Sequence, residues 1–341
     1  MKLSDNMLSD NSLPVIFIMG PTASGKTALA MHLVQNGMQK QAQLNNNGVV
    51  SSFDGYEIIS VDSALVFTQM NIGSAKPTEK ELKLAPHHLI DFIDPKNSYS
   101  VSQFYDDANR LIKEIHQRNK VPLLVGGTML YFKSLLNGIA EMPATDEIVR
   151  NKIQARLKEN GIEKLHQELK TIDSITAKRL HSNDTQRITR ALEVFEMSGK
   201  PLSKWHEEQS AHKFPYKLLS IAIAPEDRKI LHKRIEKRFE KMLESGFLTE
   251  MSALYGRGDL NLECPSMRSV GYRQYWQYLK GELTLSEAKE RAIIATRQLA
   301  KRQLTWLRSW PDAHWFDISS TDHKKHSQQD ACQNLIDEFV I

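Results

Sequence analysis

Residues 14–27 read PVIFIMGPTASGKT, and ALAMHLV follows at 28–34. The first six residues are a continuous apolar run of strand length, as a strand covered on both faces requires. Gly20, Pro21, Thr22, Ala23, Ser24, Gly25, Lys26 and Thr27 fit the pattern G-x-x-x-x-G-K-[ST]. A strand before the pattern and a helix after it are the context in which such a loop cradles phosphate. Its glycines let backbone amides converge on phosphate oxygens, and the helix turns its unpaired N–H groups toward the same anion. Lys26 adds a point charge, and the Thr27 hydroxyl is placed to bind Mg2+. The loop specifies a phosphate ester, not ATP hydrolysis.

Two further short strands are expected outward from this stretch. EIISV (57–61) ends at Asp62, and VPLLV (121–125) ends at Gly126-Gly127-Thr128. A helix is expected over 102–118. Strands alternating with helices predict an α/β fold with a parallel sheet whose ligands sit at the carboxyl ends of its strands. Asp62 is then either a metal-side carboxylate or a base near the reacting ester. Thr128, after two glycines, is a hydroxyl that can approach a ligand closely.

Residues 36–56 are rich in Gln and Asn, and they read as a flexible surface insertion. The texture changes from about residue 144. Helical patterns recur over 146–159, 161–170, 174–181 and 184–198, with Gly161 and Gly199 as helix ends. KLLSIAIAP (217–225) returns to strand, which makes the helical block an insertion. The expected domains are 1–143, the first part of the α/β core; 144–212, the helical insertion; and 213–341, the rest of the core. Helices are expected over 226–245 and 286–310, separated by a loop carrying PSMRSVGYRQYW, and over 330–340, with a strand over 314–318 and a polar link at HKKHSQQD.

The 341 residues are 40% hydrophobic and 25% charged, an ordinary globular balance with a net charge of +4. Such a small excess does not announce a nucleic-acid binder, so any basic surface must come from uneven distribution. Cys264 and Cys332 are the two cysteines, which excludes a disulfide framework and points to the cytoplasm. No apolar run has membrane-spanning length. The histidines have no metal-ligand spacing, and Tyr272, Tyr275, Trp276 and Tyr278 read as core. RAIIATRQLAKRQLTWLRSW (291–310) carries five cations and no acid. Arg297, Lys301 and Arg308 share one face of this helix, with Trp306 and Trp310 nearby, and such a stripe can track a phosphate backbone. RSVGYR (268–273) and Gln186, Arg187 and Arg190 add two more clusters, which together suggest a cleft for a polyanion.

With these stretches in hand, the chain resembles the bacterial tRNA dimethylallyltransferases. GPTASGKT, ISVDSAL, IGSAKPT, HHLIDFIDP, YSVSQF, LLVGGTMLYFKSLL, NDTQRITRALEV, RSVGYRQYW and ATRQLAKRQLTWLR occur in that order over about 14–318. The resemblance implies a P-loop NTPase-like parallel sheet core with an inserted all-helical domain. It implies transfer of a dimethylallyl group from dimethylallyl diphosphate to the exocyclic amine of the adenosine 3′ of the anticodon, in tRNAs reading codons that begin with U. Mg2+ on Thr27, together with Lys26 and the loop amides, would stabilise the leaving diphosphate, and Arg234 or Arg238 could add to this. Asp62 would accept the proton of the amine, and Thr128 would help place the base and the phosphate. By the same resemblance, the anticodon stem-loop would contact Asp62, Ser63, Ala64, Leu65 and Thr128, and also Gln186, Arg187, Ile188, Thr189 and Arg190. Further contacts implied are Arg268, Ser269, Val270, Gly271, Tyr272 and Arg273, then Lys301, Arg302, Gln303, Leu304, Thr305, Trp306, Leu307 and Arg308, with Arg150 near the channel. A cytoplasmic monomer without membrane attachment is expected. One departure is the long connection at 36–56, where the family usually has a few residues. The rival readings are an adenylate prenyltransferase or P-loop kinase on the same core, and a non-catalytic RNA-binding protein with a relict phosphate loop.

Overall fold

Strand β1 (Pro14–Met19) is buried along its whole length. It lies between β4 (Val121–Gly126) and β5 (Lys217–Ile223), with Ile16 opposite Leu123 on one side and Leu219 on the other. β2 (Tyr56–Val61), β3 (His87–His88) and β6 (His314–Phe316) complete a parallel sheet of order β3-β2-β4-β1-β5-β6. The computed structural model describes residues 13–46, 53–140, 142–143, 146–209, 213–318 and 322–340. The chain divides into two compact units, Met1–Phe132 with Pro215–Ile341, and Lys133–Phe214.

Alternation along β1 serves two cores. Ile16 and Ile18 pack with Leu29 and Leu33 of α1 (Lys26–Asn46) and with Cys332 and Ile336 of α13 (Asp322–Val340). Phe17 meets Phe132 at 5.0 Å and Trp310 at 6.3 Å between ring centroids. The Trp310 indole donates to the Ser220 hydroxyl at 3.2 Å, which satisfies the one polar atom of that ring. Trp310 thus belongs to the core, as do Tyr272, Tyr275 and Trp276. Cys332 is buried, and its thiol is pushed up to about 12 by desolvation. Neither cysteine is disulfide-bonded. None of the helices among the described residues is long and apolar enough to cross a membrane.

The remaining helices of the first unit are α2 (Glu79–Leu84), α3 (Val101–Gln117), α9 (Arg228–Glu244), α10 (Phe247–Gly256), α11 (Tyr272–Leu279) and α12 (Leu285–Arg308). α4 (Met129–Asn137) follows β4. The second unit carries α5 (Glu147–Ile172), α6 (Ser174–Arg179), α7 (Thr185–Ser198) and α8 (Leu202–Gln209). Its core gathers Ile153, Leu165, Leu169, Ile188 and Leu192. Gly161 breaks α5 with φ of 74°, and Gly199 caps α7 with φ of 68°.

Three expectations need correction. The stretch between the helices at 226–245 and 286–310 is not a loop but carries α10 and α11, whose buried Phe247, Met251, Tyr272 and Tyr275 give them a core to fold against. Residues 36–46 are not a loop but the continuation of α1, and 53–55 lead into β2; residues 47–52 lie outside the described residues. An established helix adds each further residue without a new nucleation step, so Gln-rich sequence extends it readily. The polar link at HKKHSQQD is likewise helical, as the first half of α13. The edge strand β3 has no apolar signature. His88 is held to Glu57 at 2.8 Å, and the His87 Nδ1 lies 2.5 Å from the Ala85 carbonyl.

β2 leaves no room for a side chain at the end of β4. A Cβ on Gly126 would stand 2.0 Å from the Val61 carbonyl oxygen, and backbone cannot give way there. Gly126→Ala should therefore lower the unfolding free energy by about 1–3 kcal/mol, read as a lower urea midpoint at unchanged slope.

Candidate active site

The carboxyl ends of β1, β2 and β4 put three segments side by side: the loop 20–25, Asp62, and Gly127-Thr128. This is the topological switch of the sheet, where β1 and β4 are neighbours although β2 and β3 come between them in sequence. The loop curls through left-handed backbone at Ala23 (φ 63°) and Gly25 (φ 100°). Ser24 is turned inward and buried, and Ala23 packs against the cluster of Ala224, Leu231, Ile235, Ala300 and Leu304. Thr22, Lys26 and Thr27 are left facing a cleft of about 160 Å3. The cleft is also lined by Asp62, Ala64, Leu65, Ser74, Arg238, Ser269, Val270, Tyr272 and Gln303, all from the first unit.

Gln303 of α12 ties these pieces together. Its Oε1 accepts from the Thr22 amide and its Nε2 donates to the Gly127 carbonyl, each at 2.9 Å. The phosphate loop, the end of β4 and the basic helix thus share one side chain. Asp62 accepts from the Ala64 amide at 2.9 Å, which turns the chain directly after β2. The Thr128 hydroxyl accepts from the Ser63 amide at 3.1 Å, which joins the ends of β2 and β4.

The cleft is electrostatically poised for an anion. Lys26 is brought down to about 8, chiefly by desolvation, with Asp62 opposing and Arg238 adding to the shift. Burial also lowers Arg238 from its ordinary value, again against the pull of Asp62. Burial and the Asp62 charge push Tyr131 up to about 12. Two desolvated cations around one carboxylate leave a site short of negative charge. The Arg238 guanidinium donates to the Ser74 carbonyl at 3.1 Å, and Arg234 donates to the Ser24 carbonyl at 3.3 Å, behind the loop. Of the two arginines, only Arg238 lines the cleft.

The other expected contact residues separate into groups. Lys301, Arg302, Thr305, Trp306 and Arg308 are exposed on α12, whereas Leu304 and Leu307 are buried. The stripe expected through Arg297 is shorter than expected. Glu236 of α9 pairs with Arg297 and supplies the countercharge that 291–310 lacks. Arg268 and Arg273 are exposed, with Arg268 paired to Glu263 at 2.7 Å; Gly271 and Tyr272 are buried. Arg150, Gln186 and Arg187 are exposed on the helical unit, where Arg187 pairs with Asp184 at 2.8 Å. Arg190 donates to the Pro143 carbonyl at 3.0 Å, and Ile188 and Thr189 face the interior. Sequence reasoning missed Glu250 of α10, whose carboxylate accepts from the Asn71, Ile72 and Gly73 amides at 2.7–3.1 Å. It lies 177 residues from Gly73 in the chain, so no local pattern marks it.

Fold and cleft together define a P-loop α/β protein with a cation-lined cleft beside a carboxylate. Residues 65–310 match the model of the family described as IPP transferase. The tRNA isopentenylpyrophosphate transferase of Bacillus halodurans is 35% identical, covers 96% of each chain and superposes with a TM-score of 0.66. That of Staphylococcus epidermidis is 34% identical over 96% of this chain and 99% of its own, with a TM-score of 0.64. A eukaryotic dimethylallyltransferase, described as acting on tRNA, is 25% identical over 95% of this chain and 78% of its own, with a TM-score of 0.76. The chain belongs to the IPP transferase family, the tRNA isopentenylpyrophosphate transferases, and is an enzyme.

The lowered Lys26 ammonium has a stability consequence. Its folded value of about 8 lies below the ordinary 10.5, so the unfolded chain binds the proton more tightly. That costs stability fully below pH 8, and the cost vanishes as pH rises through 10.5. Lys26→Met should be more stable than the native chain at pH 7 by up to about 3 kcal/mol. Urea melts at stepped pH should show this advantage closing between about pH 8 and 10.5.

Proposed function

We propose that the enzyme transfers the dimethylallyl group of dimethylallyl diphosphate to the exocyclic amine of the adenosine 3′ of the anticodon, in tRNAs reading U-initial codons. The observation that carries this reading is the pairing, in one cleft, of a phosphate loop and its two desolvated cations with the Asp62 carboxylate. The diphosphate lies on the loop amides with Lys26 and Arg238. The amine nitrogen attacks C1 of the prenyl group, the C1–O bond breaks, and its electron pair leaves with diphosphate. An adenine exocyclic amine is a weak nucleophile because its lone pair is delocalised into the ring. Asp62 takes the proton as the C–N bond forms, which keeps the nitrogen from carrying full positive charge. Negative charge grows on the bridging oxygen, where Lys26 and Arg238 are already in place.

The Thr27 hydroxyl is a hard oxygen donor in the cleft. Among the described residues, no group of three His, Cys, Asp or Glu side chains could hold a metal ion by itself. That donor set fits Mg2+, which keeps waters and shares the phosphate oxygens of a substrate instead of filling a protein cage. When bound, Mg2+ would neutralise part of the diphosphate charge. The target base is stacked in the anticodon loop and must be flipped out to reach Asp62. The exposed cations Lys301, Arg302 and Arg308 on α12 suit the flanking phosphates, and their contribution should weaken with salt. The reading includes a cytoplasmic enzyme working as a monomer.

Label transfer from dimethylallyl diphosphate to bulk tRNA, compared with AMP, tests the reading. Transfer to tRNA alone is expected. Transfer to AMP would favour a small-acceptor enzyme, and tRNA binding without transfer would favour an RNA-binding protein. Asp62→Ala should abolish transfer and leave tRNA affinity nearly intact; equal loss of both would remove Asp62 from the role of base.

A further inference from the structure

The segment from Asn71 to Lys76 forms one wall of the cleft through Gly73, Ser74 and Ala75. It has no regular secondary structure, yet it is fastened at several points. The Glu250 carboxylate accepts from three successive amides: Oε2 from Asn71 at 2.8 Å and Ile72 at 2.7 Å, and Oε1 from Gly73 at 3.1 Å. Its Oε1 also accepts from the Tyr272 hydroxyl at 2.7 Å. Successive amides converging on one carboxylate form an anion nest, here filled from within the chain. Behind the nest there is no slack. A Cβ on Gly73 would stand 2.2 Å from the Phe247 ring and 2.7 Å from that of Tyr272. The Ser74 hydroxyl donates to the Met70 carbonyl at 2.5 Å, and Lys76 donates to the Phe67 carbonyl at 2.7 Å. The side of the segment that faces the cleft presents the Ser74 carbonyl, which accepts from Arg238 at 3.1 Å.

We propose that Glu250 is a positioning residue for donor binding: by fixing the 71–73 amides it places the Ser74 carbonyl, which holds the Arg238 guanidinium in the phosphate cleft. Glu250 is absent from the cleft lining and so acts through the loop, not on the substrate. Arg238 is half-buried and loses part of its hydration. A guanidinium in that state needs a fixed acceptor, or it turns toward other partners. The Ser74 carbonyl fixes one edge of the fork and leaves the remaining N–H groups for phosphate oxygens. This inference rests on the reading that the donor diphosphate lies in this cleft.

Glu250→Gln keeps the size of the side chain but presents an amide NH2 to backbone N–H groups, so part of the nest opens. The expected result is a KM for dimethylallyl diphosphate raised about tenfold, with the KM for tRNA within about twofold and the melting temperature nearly kept. Tyr272→Phe removes one of the four bonds to Glu250 together with the hydroxyl's contact to Ser74, and keeps the ring, so it should raise the same KM by a smaller factor; it carries the test if Glu250→Gln does not fold. An unchanged donor KM in both variants, or parallel change in both KM values with loss of melting temperature, overturns the proposal. Lys26→Ala separates the two layers. If it leaves the donor KM unchanged, the placement of the diphosphate falls and the proposal falls with it. If it raises that KM while both nest variants do not, only the role of Glu250 falls.

Discussion

The Gln303 carboxamide joins the two halves of the chemistry. One end accepts from the Thr22 amide in the phosphate loop, and the other donates to the Gly127 carbonyl at the end of β4. Both bonds are partly buried, so leaving either group unpaired would cost more than the bond's modest net contribution. The consequence is geometric. α12, which displays Lys301, Arg302 and Arg308 to solvent, cannot shift along its axis without dragging the loop 20–25 that lines the cleft. The exposed cations of α12 and the cleft beside the loop are therefore held in one frame.

The cleft itself is a compromise between folding and binding. Lys26 and Arg238 are desolvated around a single carboxylate, an arrangement that opposes folding and favours an incoming dianion. The surrounding packing offsets that cost. Phe17, Phe132 and Trp310 lock one face of the sheet, and Ile16, Ile18, Leu29 and Leu33 the other. Burying an aliphatic or aromatic side chain contributes about 1.5–3 kcal/mol, so a handful of these residues compensates for two poorly hydrated cations. The apolar packing of the sheet makes a partly desolvated charged pocket tolerable.

Whatever is written locally was legible in the sequence. The phosphate loop is a contiguous pattern flanked by a strand and a helix, and Asp62 and Thr128 declare themselves by following apolar runs. The helical block showed itself through periodicity and through Gly161 and Gly199. Two kinds of feature escaped. Polar helices such as residues 36–46 of α1 and the start of α13 have no apolar stripe, because they grow from an established helix. Long-range partners leave no local trace at all. Glu236 neutralises Arg297 from a different helix, and Glu250 and Gln303 reach segments well over a hundred residues away. The charge stripe read from 291–310 was accordingly too long, because a single helix does not reveal what packs beside it.

The first unit is interrupted between Phe132 and Pro215, and the central strand feels that interruption most. β1 pairs on one side with β5, which begins at Lys217, almost two hundred residues after β1 ends at Met19. At a ribosomal pace of about 5–20 residues per second, one edge of β1 waits roughly ten to forty seconds for its neighbour. Throughout that interval the most hydrophobic strand of the sheet presents open backbone hydrogen-bonding groups. The helical unit between them, with a core of its own, can meanwhile collapse by itself. Biogenesis of this enzyme is therefore exposed to mispairing at the nascent chain in a way that the finished fold conceals.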